Sequence, residues 1–357
     1  MGANCTCLKA FNAEDGQMNT IDREDVYKGQ RDSNNRSYTI EYIIQLQSII
    51  RGHLERRCRR ELSRTPLNSS PFLIANRENL QELTGPIPDY SNTATLASER
   101  KLGQFVYPNM PDDGILKVQK NAVKLENNAI YIGEWNTKNE RHGKGLQMWN
   151  DGSKYEGYWK NDKANGRGRL IHGDGDVYEG DWVDDKAHGF GVYLHTDGAR
   201  YEGSWVNDKQ HGHGKEEWPD GSNYEGTYFN GQKHGMGKFV WSDGSTYEGE
   251  FSNNDIHGNG KYSWIDGRIY IGTWQSNKMH GKGEFTWPDG RKYSGEYVDD
   301  KKEGYGVFEW PDGKRYEGEW RNGKQHGKGV FTNGNEKIEG VWLEGKRKLP
   351  EKTNAPL

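Results

Sequence analysis

From residue 131 to about residue 345 the chain alternates large apolar or glycine positions with polar ones, and the alternation restarts at regular intervals. In the stretch 247–251, Tyr247, Gly249 and Phe251 fall on one face of an extended segment and Glu248 and Glu250 on the other, because strand side chains alternate with period two. After a polar break, Gly260, Tyr262 and Trp264 share one face of a second segment, with Lys261 and Ser263 opposite. Paired antiparallel, the two segments predict a hairpin with one aromatic face and one wet face. An Asp-Gly pair closes each unit and predicts a two-residue hairpin turn, with positive φ at Gly221, Gly244, Gly267, Gly290 and Gly313. Upstream the period changes: Ile40, Ile44, Gln47 and Arg51 recur at steps of four and three, which predicts a helix over residues 37–64.

The Tyr-x-Gly-x-aromatic pentad begins at Tyr131, Tyr155, Tyr178, Tyr201, Tyr224, Tyr247, Tyr270, Tyr293 and Tyr316, with a first interval of 24 residues and 23 thereafter. With tyrosine as position 1, a His-Gly-x-Gly element fills positions 11–14 and Asp-Gly positions 20 and 21. Tyr201-Glu202-Gly203-Ser204-Trp205, His211-Gly212-His213-Gly214 and Trp218-Pro219-Asp220-Gly221 resemble MORN repeats, and the resemblance covers roughly 125–345. It implies a stack of β-hairpins. The expected fold is mainly β: an elongated, open, single-layer antiparallel β-hairpin solenoid of nine repeats, with one N-terminal α-helix. At ~4.8 Å per strand, nine two-stranded units extend for about 90 Å.

Such an array needs caps. Residues 123–130 resemble the last half of a unit, and residues 338–346 a first half that ends with Trp342. The aromatic face also needs a cover, because an apolar surface of that length is a binding groove or an aggregation hazard. The cover could be a partner's helix, a second copy of the array in a homodimer, or the chain's own N-terminal helix. The groove is assigned to Trp205, Trp218, Tyr224, Trp241, Tyr247, Trp264, Trp274, Trp287 and Trp310.

Composition agrees with thin β-structure. Of 357 residues only 31% are apolar, but there are 48 Gly, 13 Trp, 20 Tyr and 10 Phe. The net charge of −4 balances 49 basic against 53 acidic residues and gives no whole-chain field that would attract nucleic acid. Cys5, Cys7 and Cys58 all precede the repeats, so a disulfide framework is not expected and an intracellular protein fits best. Seven histidines at position 11 (His142, His188, His211, His234, His257, His280 and His326) invite a metal reading. Their expected separation of about 10 Å is too great for one ion to be shared, so a hydrogen-bonding role in the hairpin is assigned instead. The Gly-rich elements lead into strands and not into helices, unlike phosphate-cradling loops. Glutamates at positions 2 and 4 read as a solvated face with cross-strand Lys and Arg partners rather than as a catalytic pair. No catalytic residue, metal or cofactor is expected.

The first residues carry membrane chemistry. Met1-Gly2-Ala3-Asn4-Cys5-Thr6 fits the myristoylation pattern at Gly2, and palmitoylation of Cys5 or Cys7 would supply the second signal that stable anchoring needs. Residues 1–36 are therefore read as an acylated flexible N-terminus. Within the 37–64 helix, Leu46, Gln47, Ile50, Arg51, Gly52 and Arg56 lie in a segment that resembles an IQ motif, with Arg59 where the family has an optional apolar residue. The resemblance implies calmodulin or a related EF-hand light chain as partner, since an apolar stripe edged with arginine suits such a groove. Arg57, Arg59, Arg60 and Arg64 join Arg51 and Arg56 as candidates for anionic lipid, at about 1 kcal/mol each near a membrane surface. Calmodulin and lipid would then compete for the helix. Residues 65–122 read as an irregular connector without a site, 123–346 as the repeat array with its caps, and 347–357 as a tail.

Acylated start, IQ helix and long array together look like the protist MORN proteins. That resemblance implies a non-catalytic, membrane-tethered scaffold on the cytoplasmic face of a membrane, at the cell cortex or in a cilium, with cytoskeletal or ciliary partners. The alternative is a phosphoinositide-binding subunit that recruits or activates a separate lipid kinase; the chain itself offers no nucleotide loop or kinase-type catalytic residues.

Overall fold

The computed structural model describes residues 81–348. The lipidation residues, the 37–64 segment and residues 349–357 lie outside the described residues. Among those described, 23 strands form one sheet in which every pairing is antiparallel, and one helix, α1 (Thr93–Leu102), precedes the repeats. The nine hairpins follow in chain order from β4 (Ile130–Trp135) to β21 (Lys324–Asn333), each strand pairing with the next. At the first edge, β2 (Val118–Gln119) and β3 (Val123–Lys124) lie end to end along β4, and β1 (Gln81–Glu82) pairs with β3. At the other edge, β22 (Glu336–Leu343) and β23 (Lys346–Lys348) end the array. The end strands do not meet, so the sheet is open.

The glycines of positions 3 and 14 explain why every unit folds alike. Gly203 pairs with Gly214 across one hairpin, and Gly214 pairs with Gly226 of the next, so an unbroken row of glycines crosses the sheet from Gly133 to Gly340. Each unit's tyrosine lies across its own glycine pair. A Cβ on Gly214 would stand 2.4 Å from the Tyr201 Oη, and one on Gly203 would meet the Gly214 Cα at 2.5 Å. The Tyr201 hydroxyl donates to the Ser204 carbonyl at 3.0 Å, and all nine tyrosines repeat this bond at 2.9–3.2 Å. Burial pushes these phenols up, which keeps them donors.

Each tyrosine also meets two position-5 rings edge to face. Tyr201 contacts Trp205 of its own unit at 5.1 Å and Tyr228 of the next at 5.2 Å. This zigzag runs without a break from Trp135 to Trp342, so the C-terminal half-unit expected around Trp342 closes it by packing on Tyr316 at 5.1 Å. Trp159, Trp182, Trp205 and Trp320 donate their indole N–H to a glycine carbonyl of the preceding unit at 3.1–3.2 Å.

Both predicted faces form, but the residues pair differently from a straight match of the two segments. Tyr247 pairs with Tyr262 and Gly249 with Gly260, which leaves Trp264 beyond the paired strand, and Phe251 faces Ile256 and not Gly260, because a bulge inserts extra residues around the His-Gly element. The turns also differ from expectation. Gly221 does have φ +87°, as do its counterparts near that value, but the connection is a three-residue Pro219-Asp220-Gly221 loop, closed by Trp218 donating its amide to Ser222 O at 3.0 Å. The two-residue turns with paired positive φ lie instead in the middle of the second to ninth units, as at Asn207 (φ 49°) and Asp208 (φ 66°), where Asn and Asp tolerate the left-handed region.

The second residue of that turn locks neighbouring units. Its side-chain oxygen accepts the position-10 amide of the preceding unit: Ala164 to Asp185 at 2.7 Å, Ala187 to Asp208 at 2.8 Å, Lys233 to Asn254 at 2.9 Å and Ile256 to Asn277 at 2.8 Å. Aspartate does this at a cost, since burial lifts the Asp185 carboxyl from 3.8 to about 6.

Residues 65–122 were read as irregular, yet α1 lies among them and its signal was legible. Asn92 caps it by accepting from Ala94 and Thr95, in a reciprocal box with the Thr95 hydroxyl. Asn92 also donates to Asp151 O and Gly173 O, and Ser98 to Gly175 O, which seats the helix on the loop edge of the first repeats.

Two outcomes are expected. Gly260→Ala should lower stability by about 2–3 kcal/mol, because its Cβ cannot coexist with the Tyr247 ring, whereas Tyr247→Phe loses one hydrogen bond and about 1 kcal/mol; amide hydrogen exchange across residues 247–267 reads both. Asp185→Asn keeps the acceptor for the Ala164 amide and removes the buried charge. Because the folded carboxyl titrates higher than the unfolded one, folding takes up a proton between pH 6 and 3.8, and the penalty of the charged form is present above pH 6 and gone below 3.8. The variant should therefore be more stable by about 1 kcal/mol at pH 7.5, after allowance for partial exposure, and indistinguishable at pH 3.5, as read by urea titration at the two pH values.

Candidate partner-binding face

The rings assigned to a groove divide into two rows on the tyrosine face. Trp205, Tyr224, Tyr247, Trp274 and Trp287 are 0–8% exposed, and all but Trp287 belong to the zigzag over the glycines, so they hold the sheet together and offer a partner little surface. Trp218, Trp241, Trp264 and Trp310 are half-buried. They belong to a second row, contributed by positions 16 and 18, that runs Trp218, Phe239, Trp241, Tyr262, Trp264, Phe285, Trp287, Phe308, Trp310 and Phe331 with successive centroids 4.4–6.0 Å apart. It starts at the fourth unit because the second and third place Leu170, His172, Tyr193 and His195 at these positions. The four half-buried tryptophans of this row, with buried Trp287 between Trp264 and Trp310, are the candidate site.

Two lysines at position 10 sit inside this aromatic face. Lys233 Nζ lies 5.0–5.7 Å from the ring centroids of Trp218, Tyr224 and Tyr228, and 3.0 Å from Glu216 Oε2, which also accepts from the Tyr228 hydroxyl at 3.0 Å. Glu216 is 2% and Lys233 9% exposed. Burial, reinforced by the Glu216 carboxylate, pushes the Tyr228 phenol up. Lys302 Nζ stands 4.9–5.3 Å from four rings, those of Trp287, Tyr293, Phe308 and Trp320. The sequence marks the first of these, since Glu216 interrupts a run of aromatic residues at position 16.

On the wet face, position 2 behaves as expected, with Glu179 accepting from Arg169 at 2.7 Å. Position 4 does more than face solvent: Asp181 and Glu250 accept the amides of Phe190 and Asn259 at 2.9 and 2.8 Å and so cap the bulge. At position 11, Glu303 accepts from the Asn322 amide at 2.8 Å and His142 Nδ1 from Asn161 at 3.4 Å, both in the next unit's turn, whereas Nδ1 of His188, His211, His280 and His326 is buried without a hydrogen-bond partner, so the expected hydrogen-bonding role does not extend to these four ring nitrogens. Among the described residues no three His, Cys, Asp or Glu side chains converge on a metal site, and no helix is long and apolar enough to cross a membrane. Gly2, Cys5, Cys7, the IQ residues Leu46, Gln47, Ile50, Arg51, Gly52 and Arg56, and Arg57, Arg59, Arg60 and Arg64 lie outside the described residues.

Nine consecutive segments, residues 131–154, 155–177, 178–200, 201–223, 224–246, 247–267, 270–290, 293–315 and 316–336, match the profile of the MORN repeat and together span more than half of the chain. The chain belongs to the MORN repeat family. Repeats of this family are typically membrane- or lipid-associated scaffold motifs, and the match points to a non-catalytic repeat protein. No curated protein matches. Among solved structures, the wild-type TCP10 domain of Danio rerio CPAP is similar at 13% identity and TM-score 0.32, over 56% of this chain and 94% of that one. The same domain in complex with a peptide of Danio rerio STIL gives 10% identity and TM-score 0.30, over 64% and 98%.

The buried pair gives a direct test. The next hairpin places Tyr247, Phe251, Phe239 and Ile256 where this one has Tyr224, Tyr228, Glu216 and Lys233. The triple variant Glu216→Phe, Tyr228→Phe, Lys233→Ile copies that arrangement and should match or exceed wild-type stability. Glu216→Ala alone should cost about 3–5 kcal/mol, because Lys233 is left charged among rings; chemical denaturation distinguishes the two.

Proposed function

We propose that the chain is a membrane-tethered scaffold that joins the inner leaflet of a membrane, calmodulin or a related EF-hand light chain, and a cytoskeletal or ciliary partner. The observation that carries this reading is the row of half-buried tryptophans, Trp218, Trp241, Trp264 and Trp310, running along one face of an open sheet. Such a row presents rigid aromatic anchors at repeat spacing, which suits an elongated partner more than a small molecule.

The tether is assigned to acyl groups on Gly2 and on Cys5 or Cys7, and calmodulin to the Leu46–Arg56 segment. Arg57, Arg59, Arg60 and Arg64 extend that segment toward anionic lipid. The cell cortex or a cilium is the corresponding location.

Affinity capture of the full chain, with and without calcium, tests the reading together with two variants. Gly2→Ala is expected to move the protein from the membrane to the soluble fraction, and Trp241→Ser with Trp264→Ser to lose the cytoskeletal or ciliary partner while retaining calmodulin. A Gly2→Ala form that stays on membranes, or a partner set unchanged by the tryptophan variant, would overturn it. Recovery of a phosphoinositide kinase in place of cytoskeletal proteins would assign the chain to kinase regulation.

A further inference from the structure

The wet face of the first repeats already holds an extended peptide, and that peptide belongs to the chain itself. Beyond α1, residues 103–113 form a strap across this face. Arg169 donates to Gly103 O at 2.7 Å and lies over the Phe105 ring at 5.5 Å. Tyr107 packs edge to face on Tyr158 at 5.6 Å, with Lys144 Nζ 5.4 Å from its ring, and the Tyr158 hydroxyl donates to Pro108 O at 2.5 Å. Asp113 ends the strap on His142 Nε2 at 2.6 Å. Phe105 is 4% exposed and Val106 80%, the alternation of an extended segment bound by one edge.

Lys144 and Tyr158 are cross-strand partners, and the row they define continues along the sheet through Arg167 and Asp181, Phe190 and Ser204, His213 and Thr227, and Met236 and Glu250. Past the strap this row changes character. Phe190 is 49% and Met236 60% exposed, and the same hairpins add Val183 at 46% and Phe229 at 53%. Single exposed apolar side chains need no explanation, but two in the third unit and two in the fifth, on one face adjoining a bound peptide, mark an interaction surface. Small Ser204 and Thr227 lie in the row between Phe190 and Met236 and leave room above the sheet.

We propose that the row from Phe190 to Met236 is a docking site for an extended, aromatic- and proline-containing segment of a partner protein, held as the strap is held. The site lies on the face opposite the tryptophan row and is independent of it. Continuity with the strap interface selects this occupant: the row that takes Tyr107-Pro108 through Lys144 and Tyr158 in the first units offers apolar side chains and an exposed imidazole, His213, in the next. Phe190 and Met236 stand four strands apart, about 19 Å, which roughly six extended residues span.

A fluorescent peptide with the sequence of residues 103–113 serves as the probe, titrated into the full chain and followed by anisotropy. Saturable binding that weakens at least tenfold in Phe190→Ser with Met236→Ser, and that is unchanged in Trp241→Ser, is the expected result. Both replaced side chains are exposed, and an unchanged circular dichroism spectrum verifies that the variant folds. Absence of saturable binding, or binding equal in the double variant and the parent, overturns the proposal. So does a sedimentation profile in which the parent chain self-associates and the double variant does not, since the surface would then belong to a second copy.

Discussion

A tyrosine ring laid across two facing glycines is the contact on which this structure depends. It demands that both positions lack a side chain, since the ring sits where a Cβ would be, and it sets the depth of the sheet at every hairpin. The constraint acts in both directions. The glycines leave room for the ring, and the ring shields backbone that glycine would otherwise leave open on that face. The hydroxyl then returns to the backbone three residues on, so a large side chain is buried without leaving a polar atom unsatisfied.

From that contact the rest propagates by neighbour relations alone. A single hairpin has no second layer to bury its rings against, but the following unit supplies an edge for each tyrosine, an indole N–H for the glycine carbonyl and an Asx oxygen for an amide. Cohesion is therefore made at the junctions as much as within the units, the nearest-neighbour energetics expected of a repeat array. The terminal units need substitutes for a missing neighbour. Trp342 provides one at the C-terminal end, and β1, β2 and β3 cover the free edge of β4 at the other.

The repeat count and the two-faced hairpin were legible because they follow from period-two alternation, which a tandem array repeats until chance is excluded. What could not be read arises where local chemistry shifts the frame. The bulge at His-Gly moved Phe251 opposite Ile256, and the loop at Asp-Gly spread over three residues, because a preference for positive φ does not by itself fix loop length. The contrast between the buried zigzag and a second row that leaves four tryptophans half-buried was also hidden, since both share the same face and differ only in which neighbour covers them. The strap escaped notice because residues 103–113 have no periodicity; their order is dictated by Arg169, Tyr158 and His142, which are distant in the chain.

Near-identical units raise a difficulty that a globular core does not face, for hairpins could pair out of turn with little loss of apolar contact. Glu216 and Lys233 break that degeneracy. Were the fifth hairpin to dock on the third with the fourth expelled, Lys233 would enter an aromatic slot headed by Tyr193 in place of a carboxylate, and the bare ammonium would oppose the misalignment. This ionic rung in the middle of the array, with the buried Arg141–Asp162 pair between the first two units, gives a near-uniform ladder an address, so that counting along it has a fixed origin.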